Sequence, residues 1–207
     1  MKRLLVTVMF FMLPFCLFAQ FSIGIKSSVL FFNANRPFGD LGVENIDLSD
    51  MGFFPIINAG VFLHHSFNRS LALQTEIKYT TEGLFYQIKN IEISGLESIV
   101  FEYIEIPLLM QYRWGNKFNW FVQSGISLKY LIVTEYFNER GKNVINEIDE
   151  QINNFVLKAN IGSGFIYNFS QHFMVNGEMR WGYDITTIVN DIRFLKLDVS
   201  FGIAYKI

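Results

Sequence analysis

The side chains of this chain that could perform catalysis are few, and their spacing does not build a site. There are three histidines, of which His64 and His65 are adjacent and His172 lies far along the chain. Adjacent strand residues point to opposite faces, so His64 and His65 cannot easily chelate one metal. His64 and Ser66 could belong to a hydrolase or acyltransferase site, but no third member is evident. The sequence therefore predicts no metal site, no cofactor and no enzyme activity.

A larger set of polar residues recurs with a different spacing, between apolar neighbours. The set comprises Gln74, Glu76, Lys78, Glu105, Gln111, Arg113, Lys129, Lys158, Glu178, Arg180 and Asp198. A period of two places each of them on the opposite strand face from its apolar neighbours. Charges held away from water must be paired, so this face predicts a core of ion pairs and hydrogen bonds. A proton or solute path along the same residues is the alternative.

The final stretch, Leu195 to Ile207, shows the alternation most clearly. Every second residue from Leu195 is apolar or aromatic, and those between are polar or small. At roughly 3.3 Å per residue and a tilt near 40°, this strand climbs on the order of 30 Å. That length is enough to cross the apolar band of an outer membrane, which is about 25 Å tall.

Seven further segments share this pattern. The predicted strands cover residues 21–32, 53–65, 71–81, 99–114, 120–137, 154–167, 173–183 and 195–207. The connections alternate in length, and the long ones are 33–52, 82–98, 138–153 and 184–193. The connection 82–98 also contains Phe85, Tyr86 and several isoleucines, so extension of the flanking strands into it is an open alternative. Outer-membrane barrels place short turns in the periplasm and long loops outside the cell. The sequence predicts an all-β fold: an eight-stranded antiparallel up-and-down transmembrane β-barrel.

Alternation alone does not say which face points outward, because a lipocalin-type barrel has the inverse orientation. Long strands and small residues on the polar face (Gly60, Gly125, Gly162, Gly164 and Gly202) favour the membrane barrel, whose narrow interior needs glycines. Aromatic residues gather near the predicted strand ends, as in interfacial girdles. These are Phe31, Phe32, Phe53, Phe54, Tyr79, Tyr112, Trp114, Trp120, Tyr167, Phe169, Tyr183 and Tyr205. We also expect Phe201→Asp, on the apolar face, to block insertion far more than Ser200→Asp.

Pro107 lies inside a predicted strand, on its polar parity. A proline removes one hydrogen-bond donor from the ladder, and a closed barrel has no free edge. We expect a bulge or a water-satisfied carbonyl there.

The N-terminus predicts export. Lys2 and Arg3 precede a nearly unbroken apolar run, and Ala19 offers a small residue for cleavage, so residues 1–19 read as a signal peptide and residues 20–207 as the barrel domain. Cys16 is the only cysteine, and Phe15 before it does not suit a lipidation site. We therefore expect Cys16 to be removed with the signal peptide. Without Lys2 and Arg3 the chain is mildly acidic and has no basic stripe, which argues against a nucleic-acid partner.

The chain resembles the PorT-like family of outer-membrane β-barrel proteins of Gram-negative bacteria. The matching pieces include Gly52-Phe53, Gly60-Val61-Phe62, Leu73 to Tyr79 with Gly83, Tyr103-Ile104-Glu105-Ile106-Pro107-Leu108-Leu109, Gly125 and Gly162-Ser163-Gly164. Such barrels usually end on an aromatic residue, whereas this chain ends on Ile207. The signal for the barrel-assembly machinery is therefore predicted at Phe201, Ile203, Tyr205 and Ile207.

The resemblance implies location in the outer membrane, in contact with its lipid, but little about the role. A structural or interaction role through the extracellular loops is the first hypothesis. An accessory role in a protein-secretion assembly is the alternative, since some members assist secretion, and it would require a secretion-system or cell-surface protein partner. A narrow solute channel and a lipid-modifying barrel enzyme are weaker hypotheses.

Overall fold

The computed structural model describes residues 20–34, 46–47, 56–90, 93–138, 141–144, 153–187 and 193–207. The predicted signal peptide, Phe53 and Phe54 lie outside the described residues. The strands are β1 (Gln20–Ala34), β2 (Ile46–Asp47), β3 (Ile56–Ser66), β4 (Leu71–Asn90), β5 (Ile93–Gly115), β6 (Phe118–Asn138), β7 (Gly141–Val144), β8 (Phe155–Asn168), β9 (Phe173–Asp184) and β10 (Phe194–Lys206). The described residues contain no helix that is long and apolar enough to cross a membrane.

The eight long strands close into an antiparallel barrel. Each long strand pairs with the next along the chain, and β1 also pairs with β10 through partners such as Ile25 and Ile203. This seam leaves the wall without a free edge. Three short connections, residues 67–70, 116–117 and 169–172, lie at one end, which we call the turn end, and the opposite end is the loop end. The predicted fold class is confirmed.

The strands differ greatly in length, and the pairing decides how far strands extend into the connection predicted at 82–98. Residues 82–98 are not a long loop: β4 and β5 run through most of them and pair until Asn90 faces Ile93. Alternation is weak in this segment because Phe85 and Tyr86 are consecutive, which hid the strands. β4 thus continues well past the start of β3 at Ile56, and β6 continues to Asn138, past the start of β8 at Phe155.

The loop-end parts of β4, β5 and β6 form a three-stranded extension, which we call the blade (residues 83–90, 93–100 and 131–138). It rises about eight residues, or roughly 25 Å, beyond the neighbouring strands. The short strands cover its sides, since β2 pairs with Gln87 and Ile88, and β7 pairs with residues 135–138. Covered sides reduce the exposed strand edge that would otherwise invite aggregation.

Pro107 does not cause a bulge. The β5–β6 register runs through Pro107, which faces Ser127, and shifts instead between Glu102 and Tyr103. On the other side of β5, the β4 pairing breaks off at Leu108 and resumes at Glu105, so the ladder is interrupted beside the proline without a change of register. A missing donor removes a ladder bond but does not require an extra residue.

The two faces of the wall have the predicted polarity. Phe201 is 65% exposed on the outer surface, whereas the next inward residue, Ser200, is 1% exposed. Most of the predicted girdle lies outward at strand ends: Tyr79, Tyr112, Trp114, Trp120, Phe169, Tyr183 and Tyr205 are exposed. Further rings pack at the turn end, where Phe118 stacks on Phe165 at 5.3 Å and Phe173 lies edge-on to the girdle residue Tyr205 at 5.3 Å.

Candidate functional site in the barrel interior

The inward faces of the strands bring buried charges together in three groups. The group nearest the turn end is centred on two carboxylates, Glu76 and Glu178. Lys26 Nζ donates to both of them at 2.8 Å, and the Arg180 guanidinium also donates to both, at 2.7 Å to Glu76. Ser200 Oγ adds a hydrogen bond to Glu178 at 3.1 Å. Two cations therefore neutralise two anions, and the four side chains come from β1, β4 and β9.

A chain of amides links this group to the turn end. Gln111 Nε2 donates to the side-chain oxygens of Gln74 at 2.8 Å and Gln123 at 3.0 Å. Gln123 then donates to Glu178 at 3.2 Å, while Gln74 donates to Glu76 at 2.6 Å. Because the Gln111 amide nitrogen serves these two bonds, its oxygen is left to accept from His64 Nε2 at 2.9 Å.

The middle group consists of two separate ion pairs. Lys78 contacts Asp198, and Lys158 contacts Glu105. Gly182 leaves space for one of these lysines, because a Cβ on it would lie 2.9 Å from the Lys158 Cδ. Gly60 instead allows the close approach of β4, because a Cβ on it would lie 2.6 Å from the Ile77 carbonyl oxygen and 2.9 Å from the Lys78 Cα.

The group nearest the loop end holds two lysines between two carboxylates. Lys196 Nζ lies 2.6 Å from Glu82 and 2.9 Å from Asp184. Lys129 lies 3.1 Å from each of the same carboxylates, and its Nζ is 4.7 Å from the centre of the Tyr103 ring. The four side chains are buried, so each charge depends on its neighbours for solvation.

The buried charges balance. The buried cations of the described residues are Lys26, Lys78, Lys129, Lys158, Arg180 and Lys196, and the buried anions are Glu76, Glu82, Glu105, Glu178, Asp184 and Asp198. Each of these residues takes part in at least one ion pair within the barrel. A filled interior requires equal numbers of cations and anions, because an unpaired charge away from water is costly.

An apolar layer shares the turn-end part of the interior with the amide chain. Its residues are Phe62, Phe121, Ile166, Met174 and Ala204. Two inward glycines accommodate its rings, since a Cβ on Gly24 would lie 2.7 Å from Phe62 and one on Gly164 would lie 2.6 Å from Phe121. The bore is thus occupied by aromatic rings as well as by ion pairs.

The structure places the predicted polar residues as follows. Gln74, Glu76, Lys78, Glu105, Gln111, Lys129, Lys158, Glu178, Arg180 and Asp198 are all buried inside the wall. Arg113 is the exception, because it lies half-buried at the turn end, where its Nη2 donates to the Asn68 carbonyl at 3.2 Å.

The sequence analysis missed Lys26, His64, Gln123 and Lys196, although their parity was a usable signal. It also missed Glu82 and Asp184, which stood in predicted loops; in the structure Asp184 ends β9.

The two residues considered for catalysis are not bonded to each other. His64 Nε2 bonds to the Gln111 side chain, and Ser66 ends β3 beside the turn. Within the described ranges, no three His, Cys, Asp or Glu side chains are grouped so that they could hold a metal ion.

The predicted assembly residues share the outer face of β10 or follow it. Phe201, Ile203, Tyr205 and Ile207 are all exposed there.

The comparisons with known proteins identify the same kind of barrel. The family model described as "Outer membrane protein beta-barrel domain" matches residues 18–184. The chain belongs to this outer membrane protein β-barrel domain family. The family and the fold place the protein in the outer membrane, with apolar side chains toward lipid.

Several solved outer-membrane barrels have a similar fold at low sequence identity. Neisserial surface protein A aligns with a TM-score of 0.55 and 9% identity, covering 90% of this chain and 97% of that one. OprG from Pseudomonas aeruginosa aligns at 0.52 and 14%, covering 91% and 96%. Ail of Yersinia pestis aligns at 0.50 and 10%, covering 91% and 99%. These likenesses concern the fold alone. No curated protein matches the chain.

Proposed function

We propose that this protein is a closed, non-conducting barrel that anchors its loop-end segments at the cell surface, where they bind other molecules. The observation that carries the proposal is the balanced set of paired charges that fills the bore. A solute crossing the interior would have to break these pairs and pass the apolar layer of Phe62 and Phe121. An eight-stranded interior is only about wide enough for the side chains themselves.

The blade and the loops supply the surface for interaction. The blade stands clear of the membrane-spanning wall, with strand pairing that continues to its tip at Asn90 and Ile93. The sequence that follows the blade strand β6 is rich in acidic residues, including Glu139, Glu147 and Asp149. Acidic sequence of this kind suits a partner that carries positive charge or bound divalent cations.

Site-specific photo-crosslinking in intact cells tests this role. A photoreactive amino acid is placed at Asn90 and Asn143 at the loop end, at Asn116 in a turn, and at Ile126 on the outer wall. We expect adducts with other molecules from the two loop-end sites and none from Asn116. Adducts that arise only at Asn116 or Ile126 would contradict the proposal.

The second candidate is an accessory role in protein secretion, which rests on the resemblance to the PorT-like family. The segment Tyr103-Ile104-Glu105-Ile106-Pro107 supports that closer relationship, and its odd-numbered residues are buried inside the barrel. Glu105 pairs with Lys158 and Tyr103 lies over Lys129, so these residues serve the interior rather than a partner. Crosslinks from Asn116 or Ile126 to secretion components would favour this candidate.

We further infer that the protein is not an enzyme and requires no cofactor. His64 is bonded to a glutamine amide rather than to an acidic partner, which leaves it without the orienting group of a catalytic triad. Its necessary partners are then outer-membrane lipid and, during insertion, the barrel-assembly machinery.

A further inference from the structure

The turn end of the barrel contains a basic vestibule that the interaction role does not use. It is a cavity of about 660 Å³ bounded by the β3–β4 and β5–β6 turns and by the ends of β1, β8 and β10. Its lining includes His64, Arg69, Arg113, Asn116, Asn119 and Lys206. Three cationic side chains and several amides therefore converge on one opening that faces away from the loops.

No acidic side chain offsets these cations at this end of the barrel. None of the residues lining the vestibule is Asp or Glu. The chain segments that build this end, residues 62–74, 106–123, 163–177 and 199–207, also contain no Asp or Glu. The carboxylates next in depth, Glu76 and Glu178, are already engaged by Lys26 and Arg180. The vestibule cations therefore have no Asp or Glu side chain of the described barrel beside them.

Two buried nitrogens on the vestibule wall have no protein partner. Arg113 uses Nη2 to bind the Asn68 carbonyl, whereas its Nε bonds to nothing among the described residues. His64, which is 2% exposed, uses Nε2 for Gln111 and leaves Nδ1 without a partner. Since Nε2 carries the proton of the neutral ring, Nδ1 offers a lone pair that accepts a hydrogen bond.

This combination specifies the chemistry of a ligand. Arginine and lysine donors favour an oxyanion, and a guanidinium suits phosphate in particular. The His64 Nδ1 lone pair is satisfied when the same anion also carries a proton. Inorganic phosphate keeps a P–OH in both of its forms near neutral pH, and a phosphate monoester keeps one in the fraction that is still protonated near its second pKa of about 6, whereas sulfate carries none.

We propose that the vestibule binds a proton-bearing phosphate group, presented either by a free phosphate compound or by a lipid with a phosphomonoester headgroup. In the bound state Arg113 and Lys206 donate to the phosphate oxygens, and the P–OH donates to His64 Nδ1. The turn end faces the periplasm in this fold, so the ligand comes from that side of the membrane.

The test is a nuclear magnetic resonance titration of the full barrel in octyl glucoside, a detergent that contains no phosphate. Inorganic phosphate should shift the Arg113 Nε–H signal and the backbone amides of Arg69, Asn116 and Asn119. Arg113→Gln and Lys206→Gln should each raise the Kd for phosphate at least tenfold. Sulfate should bind at least tenfold more weakly than phosphate.

Lys117→Gln is the matched control. Lys117 belongs to the same end of the barrel and carries the same charge, but its Nζ lies over the Tyr167 ring at 5.6 Å and it does not line the vestibule. It should change the Kd less than twofold. An equal effect from Lys117→Gln, or equal binding of sulfate, would show general charge attraction and overturn the assignment.

A second arm identifies the source of the phosphate. The same signals are followed in phosphatidylcholine nanodiscs with and without phosphatidic acid. Shifts with inorganic phosphate in micelles indicate a free ligand, and shifts only with phosphatidic acid indicate a lipid. If neither probe moves the vestibule signals, the proposal is wrong.

Arg69→Gln, in an exposed turn, should also weaken the binding of phosphate. Heat-modifiable gel mobility verifies that each variant is folded.

Discussion

At the scale of single residues, the barrel interior is a set of charges whose contribution depends on their partners. Lys158 and Glu105 are the simplest case, since the two side chains are buried and contact each other in the middle group. If one member of the pair is substituted, the other remains as an unpaired charge in a site where water cannot solvate it. If both are substituted, the desolvation cost disappears together with the attraction.

We therefore expect Lys158→Met to lower the free energy of unfolding by about 3–5 kcal/mol. The double variant Lys158→Met/Glu105→Leu should recover most of that loss, because replacing a buried ion pair by an apolar pair of similar volume often leaves the stability unchanged. Urea unfolding in lipid vesicles, followed by tryptophan fluorescence, measures both. A single variant as stable as the natural protein would show that the pair is not sealed from water.

At the scale of the strand, the period of two decides which residues meet lipid. We expect Phe201→Arg to lower the free energy of unfolding in vesicles by about 2–4 kcal/mol, because its side chain faces the apolar band. Phe173→Arg, on the same outer surface but at the turn end of β9, should cost only about 0–1 kcal/mol, since the penalty falls toward the interface. Equal costs would contradict the depth and face assigned here.

The inward neighbour of Phe201 is not a neutral position, although we still expect Phe201→Asp to block insertion far more than Ser200→Asp. Ser200 Oγ donates to Glu178, so Ser200→Asp would place a second carboxylate beside one that two cations already share. Sequence parity correctly indicates that Ser200 points inward. It cannot show what Ser200 meets, because that depends on how neighbouring strands are staggered.

The same limit explains which features of the site the sequence could predict. Lys26 and Lys196 lie on the polar parity of plainly alternating strands, so their inward direction was readable. Glu82 and Asp184 were assigned to loops, because strand ends are set by pairing with distant strands rather than by local pattern. The Lys–carboxylate partners join residues far apart in the chain, such as Lys78 and Asp198, and only the closed barrel brings them together.

At the scale of the whole molecule, the wall and the blade are separable. The eight-stranded wall closes without residues 86–97, because the pairing of β4 with β3 and of β6 with β8 lies closer to the turn end than these residues do. Replacing residues 86–97 with Asn-Gly, which favours a tight hairpin, should leave the barrel folded. The shortened protein should still run faster unboiled than boiled on a gel, and loss of that difference would show that the blade is needed for folding.

The central claim is that paired charges and aromatic rings close the bore. Single-channel recording in planar bilayers tests it most directly, with purified protein, symmetric salt and a porin as positive control. We expect no discrete openings over a range of voltages, even at protein amounts at which the porin gives many. Reproducible unitary steps whose size changes in Lys129→Met or Arg180→Met would show that ions pass through the interior and would contradict the claim.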